Sequence, residues 1–100
     1  MTIVNSANRD ISLILLDEDP IFSLGFQEVC RSEEFNQINI IATGKIKDFS
    51  SLLADSEVDL LVVAVDFDRF KNQADYFLNA IPEIIQQYST LKIVFLVFSA

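Results

Sequence analysis

The chain contains no histidine and a single cysteine, Cys30. Without imidazole, histidine-dependent catalysis is excluded within this chain, and so are histidine-ligated metals. One thiol cannot form an internal disulfide, which points to a reducing compartment. No basic neighbour is evident to lower the Cys30 pKa, so it reads as an inert core thiol. Basic residues number only seven against fifteen acidic, a formal net charge of −8. Nucleic acid and anionic membrane surfaces are therefore poor partners, because holding phosphates takes Lys and Arg. Glycine occurs only twice, and Thr43-Gly44 lacks the glycine spacing that a phosphate-cradling loop requires. No apolar run approaches the roughly 18 residues of a membrane-spanning helix. Residues 1–10 lack the basic start and apolar middle of a signal peptide. They are expected to form a disordered leader, and the protein to be cytoplasmic.

Apolar residues are what the chain has in quantity. They make up 51% of it, with nine Phe. That excludes disorder for most of the 100 residues and fits a single domain with a real core. Residues 11–16 (ISLILL) and 58–65 (VDLLVVAV) are each about one strand long and bounded by polar residues. A continuous Leu/Ile/Val run of this kind marks a strand buried on both faces, as in a parallel sheet covered by helices. Residues 38–42 (INIIA), broken by Thr43-Gly44, and residues 91–98 (LKIVFLVF) supply two more strands.

Helical patterns fill the gaps. Asp19 is a good N-cap with Pro20 at the first helical position, and Phe22, Phe26 and Val29 form an inward stripe. Residues 48–54 can make a short helix with Phe49, Leu52 and Leu53 inward. A longer helix carries the stripe Phe77, Ile81, Ile84, Ile85 and Tyr88, and Pro82 within it predicts a kink or a restart. The order β-α-β-α-β-α-β implies a parallel sheet.

The first strand empties directly into Asp17, Glu18 and Asp19. In open parallel sheets the chemistry gathers at the carboxyl ends of the strands. The run ILLDEDPIFSLGFQEVC resembles the start of response regulator receiver domains, above all those whose output domain is of the helix-turn-helix type. VDLLVVAVDFD and LKIVFLVFSA are similar to that family's third and fourth strands. The resemblance covers residues 11–100. It implies an α/β, flavodoxin-like (CheY-like) three-layer sandwich with strand order 2-1-3-4, truncated before the fifth strand.

The resemblance also assigns roles. Asp17 and Glu18 match the acidic pair that helps the family hold Mg²⁺, an oxygen-ligand task suited to carboxylates. The phosphoacceptor aspartate, counted from Asp59, falls on Ala64, whose methyl group can neither accept phosphate nor ligate metal. The switch hydroxyl of the fourth strand falls on Val97, which has none. The pocket formed by Asp17, Glu18, Ala64 and Asp66 is thus expected to be vestigial. No bound metal or other cofactor is expected, Asp17 and Glu18 being the only candidate ligands. Asp66 shares a strand face with Ala64 but lies two residues on, roughly 6.6 Å further along. A register slip or bulge would bring it back; otherwise Asp66 and Asp68 read as solvated loop residues. Lys92 reads as a surface charge.

The expected function is a degenerate receiver-like regulatory module of a two-component-type signalling protein, not an enzyme. Its expected partner is another protein or a missing C-terminal output domain. Two alternatives stand beside it: an atypical active receiver phosphorylated on Asp66 or Asp68 with Mg²⁺, and a fragment of an unrelated α/β enzyme. The fourth strand, without a fifth to pair with, is expected to present an apolar edge with Lys92 its only charge and to form a homodimer through it.

Overall fold

Strands of seven residues alternate with helices from one end of the described chain to the other. The structure, a computed structural model, describes residues 10–35 and 37–98. The elements are β1 (Ile11–Asp17), α1 (Pro20–Cys30), β2 (Ile38–Gly44), α2 (Phe49–Ala54), β3 (Leu60–Asp66), α3 (Lys71–Gln87) and β4 (Lys92–Phe98). Single 3-10 turns occur at Glu33–Phe35 and Ile46–Asp48. All strand pairs are parallel, and the sheet runs β2-β1-β3-β4. This is the expected flavodoxin-like α/β order.

Alternation along β1 and β3 divides their side chains between two cores. Ile14, Leu16, Leu61, Val63 and Val65 pack against Phe49 and Leu53 of α2 and Ala74, Phe77 and Ile84 of α3. Leu13, Leu15 and Val62 face the other way and meet Phe22 and Phe26 of α1. The sheet is thus the middle of three layers. The middles of its two central strands, residues 13–16 and 60–65, are unbroken apolar runs because both of their faces are dry. Phe77 is fully buried, stacking on Phe95 and meeting Phe49 edge-on, each with ring centroids 5.7 Å apart. At the opposite end from the acids, Asp59 ties three strands together. Its backbone N–H donates to Ser12 O, its Oδ2 accepts from Ser12 N at 2.8 Å, and its carbonyl accepts from Lys92 N.

Several details differ from the sequence reading. In α1 the inward ridge is Phe22, Phe26 and Cys30, with i, i+4, i+8 spacing, so Val29 turns outward and is 53% exposed. In α3, Ile84 is buried and Ile85 is not, because the stripe follows Phe77, Ile81, Ile84 and Tyr88. Helix α3 runs through Pro82 without restarting. Pro82 is exposed, so water can reach the carbonyl that its missing N–H would have bonded. Strand β2 continues through Thr43-Gly44 instead of stopping at Ala42. Its register against β1 shifts after Leu13, pairing Ile40 with Leu13 and Ala42 with Ile14. Ile41 is the extra residue of this bulge, and the shift turns Ala42 toward the α2–α3 core.

The leader expected over residues 1–10 lies, apart from Asp10, outside the described residues. Among the described residues no helix is long and apolar enough to cross a membrane.

Candidate functional site

At the carboxyl end of the sheet, β1 delivers Asp17 and β3 delivers Ala64 to the same level, and the two are direct Cα partners. Both are buried: Ala64 completely, Asp17 to all but 8%. The chain turns sharply after Asp17, whose Oδ1 accepts the Asp19 amide at 2.9 Å. This closes an Asx-type turn that feeds α1. The other oxygen, Oδ2, is enclosed without a hydrogen-bond partner among the described residues. Burial pushes the Asp17 carboxyl above its ordinary value of 3.8. The amides of Asp19 and Ser23 pull the other way, and the charges of Asp19 and Glu18 add to the rise.

Glu18 points across to the turn that follows β2. Its Oε2 accepts the Ile46 amide at 2.8 Å, so it anchors the Ile46–Asp48 turn to the end of β1. Asp48 Oδ2 completes that turn by accepting Lys45 N at 3.1 Å. Asp66 ends β3 and is 7% exposed, which corrects the expectation of a solvated loop residue. A strand end followed by a tight turn buries it: its Oδ1 accepts the amides of Asp68 and Arg69 at 3.1 and 3.3 Å. No bulge carries it back toward Asp17, since β3 keeps an even register with β4 through Asp66 and Phe98. Asp68 is exposed in the turn. Val97 pairs with Val65, and it is Leu96 that stands level with Ala64.

A cation that the sequence reading passed over reaches these acids. Arg69 Nη1 lies 3.9 Å from Asp19 Oδ2, and its guanidinium sits over the Phe70 ring at 5.0 Å. Only its place after Asp66 and Asp68 in the polar stretch following β3 could have drawn attention to it. Glu18 was legible as an acid at the mouth, but its partner is 28 residues away and no local pattern signals that contact.

No family model, curated protein or solved structure matches this chain.

The donor set therefore has to be judged by its own chemistry. A hard divalent cation needs several convergent oxygens. One oxygen of Asp17 and one of Glu18 are already engaged by backbone amides, and a methyl group occupies the facing position. Among the described residues no three acidic or thiol side chains come together in a way that could hold a metal. The residues present do not fit Mg²⁺. What the arrangement does accomplish is structural: Asp17, Glu18 and Asp66 each fold a strand-end turn by accepting backbone amides.

Proposed function

We propose that this chain is a degenerate receiver-like module that regulates by protein docking and is not phosphorylated at the usual position. The observation that carries the reading is the pairing of Asp17 with Ala64 at the carboxyl ends of adjacent central strands. The place where a receiver would present its acceptor carboxylate holds a methyl group, and the acids beside it serve turns. A phosphoryl group has no nucleophile to join at position 64. The fold still presents the helix faces and sheet edges by which such modules meet a partner protein or an output domain, within two-component-type signalling in the cytoplasm. The chain acts as a non-enzymatic regulator.

Incubation with acetyl phosphate and Mg²⁺, followed by intact mass measurement, tests this. The expected result is an unchanged mass. A stable phosphoryl adduct would overturn the reading. If Asp66→Asn then abolished the adduct, the atypical receiver reading would take its place, because Asp66 is the buried acid that ends β3.

A further inference from the structure

The two edges of the sheet are built differently. On β2 the bulge at Ile41 interrupts the ladder, and Asn39 and Thr43 put polar side chains along the strand. These are the devices that blunt an edge against pairing. Strand β4 has no bulge, and its one polar residue, Lys92, stands at its end. It pairs with β3 in unbroken register over all seven of its residues, and among the described residues no strand lies on its other side. That side offers a row of N–H and C=O groups whose natural complement is another strand.

Both faces beside this edge are apolar and wet. On the α1 side of the sheet, Val94 and Leu96 are 39% and 38% exposed. On the α3 side Val97 is 53% exposed, while Phe95 is held inward by Phe77. Helix α3 turns Tyr76, Glu83 and Gln87 toward the groove it shares with α2. Leu78 and Ile85, seven residues apart, lie across the helix from that groove, and both are exposed. An edge with open backbone groups and apolar residues on both flanks has the character of an interior strand.

We propose that a second copy of this chain covers it, by two-fold antiparallel pairing of β4 with β4 centred on Phe95. The inference rests on the docking role proposed above and names the partner. Charge selects this occupant. The chain carries a net charge of −8, so most surfaces of two copies oppose acid to acid. Strand β4 (KIVFLVF) contains no acid, and its one charge, Lys92, stands at its end. In the antiparallel register Lys92 falls opposite Phe98, and the two lysines lie roughly 20 Å apart, beyond the Debye length of about 8 Å at physiological salt. The same register sets Val94 against Leu96 and Ile93 against Val97, and it closes with two copies, as an isologous contact must. It also brings the two α3 helices to the same face of the joined sheet, with Leu78 and Ile85 turned toward the junction.

Sedimentation equilibrium of the full 100-residue chain across the micromolar range is the test. The expected mass is twice that of the monomer, with association strengthening as salt screens the acidic surfaces. Leu96→Lys should return the monomer mass with an unchanged far-UV spectrum, and Val94→Lys, at the facing position, should do the same if the first variant fails to fold. In a Cys30→Ser background, an oxidised mixture of the single variants Val94→Cys and Leu96→Cys should give more crosslinked dimer than either alone. A wild-type monomer at every concentration would overturn the proposal, and so would a dimer indifferent to both lysine variants. Neither outcome touches the phosphorylation reading, whose readout is the phosphoryl adduct.

Discussion

Replacing Ala64 by Asp should show most directly what the lost acceptor position means for this fold. Ala64 is fully buried and is the Cα partner of Asp17, whose carboxyl is itself buried with one unsatisfied oxygen. Partner residues on adjacent strands are about 4.8 Å apart. Two ionised carboxylates at about 5 Å repel by about 3 kcal/mol at an effective dielectric of about 20. The pair can escape by binding one proton. Holding a carboxyl of ordinary pKa near 4 protonated at pH 7 costs about 4 kcal/mol, at about 1.4 kcal/mol per pH unit. Repulsion is thus the cheaper outcome, and the charge penalty stays near 3 kcal/mol. Ala64→Asn is the control, since it adds nearly the same volume without charge. Each kcal/mol moves the Tm of a small domain by about 4–8 °C, so the Asp variant should melt about 12–24 °C below the Asn variant at pH 7. The sign with pH follows from the raised folded pKa of the pair. Stability is fully present below the ordinary carboxylate pKa and is lost as pH rises through the folded value, so the gap between variants should close near pH 4. Thermal melts of both variants from pH 4 to 7 check this. The added carboxylate also supplies the missing oxygen ligand, and Mn²⁺ at 100 times its Kd would return about 2.7 kcal/mol to the Asp variant alone. Equal melting of the two variants at pH 7, with no change on acidification, would refute the facing of positions 17 and 64.

Asp17→Asn should raise the Tm at pH 7, because it removes a buried charge while Oδ1 still accepts the Asp19 amide. Because burial holds the folded pKa above 3.8, that gain should shrink as pH falls through the folded value and be lost below 3.8, and parallel melts across that range measure it. The two glycines should respond in opposite directions to alanine in urea titrations. A Cβ at Gly44 would meet Leu52 Cδ1 at 2.9 Å and Asp48 Oδ2 at 3.3 Å, so Gly44→Ala should cost about 1–3 kcal/mol by overpacking. Gly25 lies in α1 with open space around it, and Gly25→Ala should stabilise by about 1 kcal/mol through helix propensity.

The sequence by itself determined the sheet and the place of the acids. Predominantly apolar runs such as residues 11–16 and 58–65 can be satisfied only between two helical layers, and the alternation of strand and helix patterns left a parallel order to form. The end of β1 at Asp17 and the alanine at position 64 could be read because strand length and the period of two are local properties. Helix faces were legible to within one residue: Val29 lost its inward place to Cys30, and of the expected pair Ile84 and Ile85 only Ile84 is buried, because a turn of 3.6 residues leaves neighbouring positions competing for one core. Tertiary structure alone decided the rest. The bulge at Ile41 answers to the register of β1, and the bond from Ile46 to Glu18 spans 28 residues. Asp66 became buried because the turn after β3 folds its amides back onto that carboxylate. The exposure of Val94, Leu96 and Val97 depends on which strand stands outermost and which helix fails to reach over it. Pairings between distant segments leave no periodic trace in the chain, since each depends on where two elements meet and not on the residues beside them.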